Sequence, residues 1–93
     1  MKVYIAGKIT GNPNYKKEFA EAEEWLKTIG YTPINPAKNQ CQSYREYIDA
    51  GLKQLMECEA IYLLPNYEDS KGALLEYQYA ITTEMKIIQK TER

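Results

Sequence analysis

The 93-residue chain contains no histidine. That excludes Ser-His-Asp and Cys-His catalysis within one chain. It equally excludes zinc held by imidazole. Cysteine is almost missing: Cys41 and Cys58 are the two. They are too few for a disulfide framework or a Cys-rich metal site, so no metal is expected. An excess of one charge is also missing, with 12 Lys and Arg against 13 Asp and Glu and a formal net charge of -1. No basic footprint for a nucleic-acid polymer exists. Long apolar runs are absent; those present, such as Ile61 to Pro65, are strand length. No transmembrane span and no membrane partner are expected. With no basic-then-apolar leader, a cytoplasmic protein with reduced thiols is expected. Nothing in the sequence calls for a cofactor.

What is present is ordinary for a folded protein: 44% hydrophobic and 27% charged residues. One domain spanning residues 1–93 is expected. Its core is modest, so a homodimer or larger homo-oligomer is expected. Tyrosine stands out, with nine against one Trp and one Phe. An apolar ring with a polar tip suits the walls of wet clefts as well as core edges.

Strand and helix patterns alternate. Lys2 to Gly7 is a short apolar run ending in glycine and reads as a buried strand. Gly7 to Asn14 is a loop dense in turn formers. A helix follows from about Asn14 to Ile29, with Phe19, Ala22, Leu26 and Ile29 on one face and Gly30 as its stop. Tyr31 to Pro36 is a second strand, placed at a sheet edge by its prolines. Ser43, with Glu46 three residues on, caps a second helix that ends near Glu57. Its inner face is read as Tyr44, Ile48, Leu52 and Leu55. Ala60 to Pro65 is continuously apolar and reads as a central strand. A third helix spans about Ala73 to Glu84, with Leu74, Tyr77 and Ile81 inward. Lys86 to Gln89 is a last short strand. The order βαβαβαβ predicts an α/β fold: three layers, α/β/α, around a four-stranded parallel sheet, flavodoxin- or Rossmann-like.

Ligands of such sheets sit beyond the carboxyl ends of the strands. The loops after the first and third strands, Gly7 to Asn14 and Asn66 to Gly72, are therefore the candidate site. Asn66 and Tyr67 belong to it by position. In the second loop, Ser70-x-Gly72-x-x-x-Glu76 opens a helix. Open backbone N–H groups and a positive dipole end welcome an anion there. Ser70 can donate its hydroxyl, Gly72 admits a phosphate, and Glu76 is a candidate nucleophile. The same three residues also serve as N-cap, tight turn and first-turn carboxylate, with no chemistry. In the first loop, Gly7-Lys8-Ile9-Thr10-Gly11 matches no dinucleotide or Walker fingerprint. Its glycines allow backbone contact, and Lys8 or Thr10 can touch phosphate or ribose; a plain strand-to-helix turn explains it equally. Tyr4 is either core or within reach of the site. Asp49, one place beyond Ile48, is either a solvated helix carboxylate or a second acid. Cys58 reads as a small buried hydrophobe, since no neighbour would stabilise its thiolate.

The chain resembles the nucleoside 2-deoxyribosyltransferase-like superfamily over Lys2 to Ile88, in particular its small bacterial and phage branch. It is also similar to the 2'-deoxynucleoside 5'-monophosphate N-glycosidases. Val3 to Gly11, with Gly7, Lys8, Ile9 and Gly11, matches the first strand and ligand loop. Leu55 to Leu64 matches the helix end and central strand. Ser70 to Ala80 matches the Ser-x-Gly-x-x-x-Glu segment. The resemblance implies that Glu76 attacks the anomeric carbon and displaces the base. It implies that Ser70 and Gly72 hold a 5'-phosphate and that Tyr4 lies by the sugar and the nucleophile. The superfamily commonly has Asp eight residues before the acid that precedes the third strand. Counting back from Glu59 gives Gly51; Asp49 would substitute only with a shifted helix register. Near relatives often have Trp where Tyr67 stands. Two functions are carried forward: cleavage or exchange of the N-glycosidic bond of a (deoxy)nucleoside 5'-phosphate, and non-catalytic nucleotide binding, as in sequestering a signalling nucleotide.

Overall fold

A computed structural model describes residues 1–90. The strands are β1 (Lys2–Ala6), β2 (Thr32–Ile34), β3 (Ala60–Leu63) and β4 (Lys86–Ile88), and the helices α1 (Tyr15–Thr28), α2 (Tyr44–Met56) and α3 (Lys71–Thr82). Short 3-10 turns occupy Pro36–Lys38 and Tyr67–Asp69. The sheet is parallel throughout, in the order β2-β1-β3-β4. The prolyl strand β2 lies at an edge, and the fully buried β3 lies inside, as the sequence predicts.

Alternation along β1 divides the core. Val3 and Ile5 face α1 and pack with Phe19, Ala22, Leu26, Tyr62 and Leu64. Tyr4 and Ala6 face the opposite side and pack with Leu55, Ile61, Leu63, Ala73 and Ala80. One helix therefore covers one face and two cover the other. Burying Phe19 or Leu26 completely stabilises the fold by about 1.5–3 kcal/mol each. Gly30, at φ 97°, closes α1. Its N–H donates to the Lys27 carbonyl and that of Tyr31 to the Leu26 carbonyl, the double bond of a Schellman stop.

All three helix faces differ somewhere from expectation: on α1, Ile29 is exposed at the helix end. On α3 the inward stripe is Ala73, Glu76 and Ala80. Leu74, Leu75 and Ile81 are 40%, 46% and 46% exposed. Small side chains at 73 and 80 let the helix approach β1 and β3 closely, and the larger residues face out. On α2 the buried positions are Gly51 and Leu55. Leu52 packs partly against the same core, and Tyr44 is 56% exposed. Helix ends shift by one or two residues, because Ser70 rather than a later residue caps α3.

Candidate functional site

The strand order reverses direction between β1 and β3, the position where such sheets open a crevice. A cleft of about 330 Å3 lies there. Its floor is the end of β1, and its walls come from the loops after β1 and β3, the start of α3 and one face of α2.

At its base, the Tyr4 hydroxyl donates to the Glu76 carboxylate Oε2 at 2.6 Å. Tyr4 is 1% exposed and Glu76 8%. Glu76 is a buried acid among the core residues, and that phenol is its hydrogen-bond partner. Burial pushes its carboxyl up to about 7, against the opposing effect of the Tyr4 hydrogen bond. Burial, with the Glu76 charge beside it, pushes the Tyr4 phenol far above its ordinary range, so Tyr4 keeps its proton. The result is a carboxylate that ionises near neutrality and is held in one orientation.

Ser70 caps α3, its Oγ accepting the Ala73 N–H at 3.1 Å. The Leu74 N–H goes to the Ser70 carbonyl. The N–H groups of Lys71 and Gly72 have no intrahelical acceptor and line the cleft mouth. The Ser70 hydroxyl proton is likewise not needed for the cap. Open N–H groups and the positive dipole end favour negative charge at this end of the cleft.

Gly51 closes the other side. A Cβ on it would lie 2.7 Å from the Tyr4 hydroxyl and 2.8 Å from Glu76 Oε2. The helix backbone thus rests directly on the phenol–carboxylate pair. Tyr47 stands beside it with its hydroxyl donating to the Pro36 carbonyl at 2.8 Å. Burial pushes the Tyr47 phenol above its ordinary range too.

Tyr4, Gly7, Ile9, Ser70, Gly72 and Glu76 all line the cleft. Lys8, Gly11, Asn66 and Tyr67 do not. The Lys8 N–H donates to Asn66 Oδ1 at 3.2 Å, and Asn66 Nδ2 donates to Glu18 Oε1 at 3.1 Å. Asn12 joins the same carboxylate at 2.8 Å. These bonds tie the two loops to α1. Tyr67 packs edge-on against Tyr77, with ring centroids 5.2 Å apart. Asp49 is exposed and outside the cleft, because the α2 register turns Ile48 and Gly51 inward instead. Tyr47 was not singled out from the sequence. Its signal is a spacing of two turns to the inward Leu55. Cys58, buried, has its thiol pushed up to about 11, foremost by burial, and its Sγ–H points to the Gln54 carbonyl.

A second cleft of about 340 Å3 lies on the α1 side, lined by Trp25, Tyr62 and Lys90 among others. Among the described residues it holds no buried carboxylate. Among the described residues no helix is long and apolar enough to cross a membrane.

A family model described as a domain of unknown function (DUF4406) matches residues 1–89. No curated protein matches the sequence. Solved structures share the fold of the nucleoside 2-deoxyribosyltransferases. A 2-deoxyribosyltransferase from Leishmania mexicana is similar at 19% identity and TM-score 0.74, over 95% of this chain and 62% of that one. A 2-deoxyribosyltransferase from Bacillus psychrosaccharolyticus is similar at 18% identity and TM-score 0.73, over 96% of this chain and 71% of that one. A CMP N-glycosidase from Clostridium botulinum is similar at 20% identity and TM-score 0.68, over 96% and 70%. The chain thus spans less than two thirds of the Leishmania protein's length.

Proposed function

The chain belongs to the DUF4406 family, and we propose that its cleft breaks the N-glycosidic bond of a nucleoside 5'-phosphate with Glu76 as nucleophile. The observation that carries this reading is the 2.6 Å bond from the Tyr4 hydroxyl to Glu76 Oε2 at the base of the cleft. The cap of α3 receives the phosphate on Ser70 Oγ and the N–H groups of Lys71 and Gly72. That places the sugar over the end of β1, beside the carboxylate. The Glu76 oxygen forms a bond to C1', the C1'–N bond breaks, and water or a second base then displaces the glutamyl ester. Tyr4 holds the carboxylate in place and keeps its proton throughout. The solved structures above, two of them transferases of deoxyribose and one an N-glycosidase, support this class of chemistry.

A second reading has its own observation: Gly51 stands where the superfamily often has an acid, and the space beside it is filled. A cleft without that acid also suits a protein that binds a nucleotide and leaves it whole. Incubation with a panel of nucleotides separates the two. Free base by chromatography, lost in Glu76→Ala while the circular-dichroism melt persists, is expected of the enzyme. Nucleotide recovered intact after denaturing the complex supports the binder and removes the enzyme. The cleft also stands open beside the half-exposed Tyr44. A second copy of the chain over that mouth is part of the proposal, and a monomer in sedimentation at micromolar concentration would remove it.

A further inference from the structure

We infer that the cleft takes N-glycosides of a cationic heterocycle, pyridinium nucleotides foremost, whose base departs as a neutral molecule without receiving a proton. This rests on the glycosidase reading and names its substrate class.

The first ground is where the cleft keeps its protons. Among the described residues, its ionisable lining is Tyr4, Tyr44, Tyr47, Asp69, Lys71 and Glu76. The Tyr4 proton is committed to Glu76, and the Tyr47 proton to the Pro36 carbonyl at 2.8 Å. Asp69 and Lys71 flank Ser70 at the phosphate end and are exposed. The Tyr44 hydroxyl lies at that end also, 3.8 Å from where a Gly72 Cβ would stand. The α2 residues lining the cleft are Tyr44, Tyr47 and Ile48, and Gly51 behind them supplies no side chain to the carboxylate. Within one chain, then, no described residue of the lining is placed to protonate a departing base. An ordinary purine or pyrimidine nucleotide would forgo the roughly 100- to 10,000-fold that a general acid supplies.

The second ground is the sign of the lining. Away from the phosphate end the charged group is the Glu76 carboxyl, with the Tyr47 ring beside it, and the one lysine, Lys71, lies at the phosphate end. Carboxylates and phenol faces favour a cationic ring, and the ring's charge in turn favours the ionised form of the buried Glu76 carboxyl.

The step balances without an acid. The Glu76 oxygen bonds to C1', the C1'–N bond breaks, and its electron pair neutralises the pyridinium nitrogen. Water then bonds to C1', the ester C–O bond breaks, and the water proton passes to solvent. The products are the neutral heterocycle, the sugar phosphate and one proton.

Matched pairs of ribonucleotides test this: nicotinamide mononucleotide against CMP, and 7-methylguanosine 5'-monophosphate against GMP. Free base is measured by chromatography with wild type and Glu76→Gln. The expected result is a kcat/KM about 100-fold or more higher for the cationic member of each pair, lost in the variant. CMP and GMP cleaved as fast as their partners, with loss in Glu76→Gln, would overturn the cationic-base inference and leave the glycosidase reading standing. All four recovered intact would overturn both.

Discussion

The Tyr4 hydroxyl donates to Glu76 Oε2 at 2.6 Å, joining residues 72 apart in sequence. One lies in the first strand and the other in the last helix, so only the folded sheet makes the pair. Tyr4→Phe leaves the buried carboxylate without its donor. Because that bond holds the Glu76 carboxyl down against burial, its loss lets the carboxyl rise further above 7. The acid limb of the pH–rate profile should move up by about one unit or more. Chemical denaturation at pH 8 should show a loss of about 1–3 kcal/mol.

Gly51→Ala is expected to disturb the same pair from the other side. Its added methyl would meet the phenol and carboxylate oxygens at 2.7 and 2.8 Å. Overpacking of this kind costs about 1–3 kcal/mol, and a displaced nucleophile lowers kcat about 100-fold. Gly51→Asp should do worse, not restore an acid. Denaturant midpoints and single-turnover base release check both.

Stability should fall as pH rises through neutrality. The folded Glu76 carboxyl keeps its proton up to about pH 7, while the unfolded one releases it at the ordinary glutamate value. Between those values the folded state binds more protons, so stability is highest below the lower one and is lost up to about pH 8. Glu76→Gln carries no such proton. Its melting temperature relative to wild type should therefore climb between pH 5 and pH 8. A constant difference would mean that Glu76 is not buried as described.

Glu84 ends α3 in the left-handed region, at φ 61°. Its N–H donates to the Ile81 carbonyl and that of Met85 to the Ala80 carbonyl, the same stop that Gly30 provides for α1. Glutamate bears a steric cost there that glycine does not. Glu84→Gly should stabilise the fold by about 1 kcal/mol and raise the melting temperature by a few degrees.

The sheet was legible because its strands are short apolar runs set off by glycine and proline. Pro33 alone places β2 at an edge. The cap at Ser43 was legible too, its Oγ accepting the Glu46 N–H at 3.1 Å. On α2 the sequence marks Ile48, Leu52 and Leu55 but also Tyr44, which is exposed, and on α3 it marks Tyr77 but misses the stripe that is buried. Hydrophobic spacing assigns Leu74 and Ile81 to the core. Close approach instead selects Ala73 and Ala80, and turns Glu76 inward with them. Gly51 gave no sign of its contact, since a glycine within a helix shows neither periodicity nor charge. Lys8 and Asn66 read as ligand contacts from their loops. Their bonds to each other and to Glu18 are long-range and appear only in three dimensions.

Attack by Glu76 on C1' is tested most directly by the configuration of the product. A β-nucleotide, trapped with methanol in place of water, should give the methyl β-furanoside 5-phosphate, with configuration retained through two displacements. The anomer is read by NMR before any exchange, since a methyl glycoside does not open. Formation of the α-anomer would mean that the acceptor attacks C1' directly, and would contradict a covalent bond to Glu76.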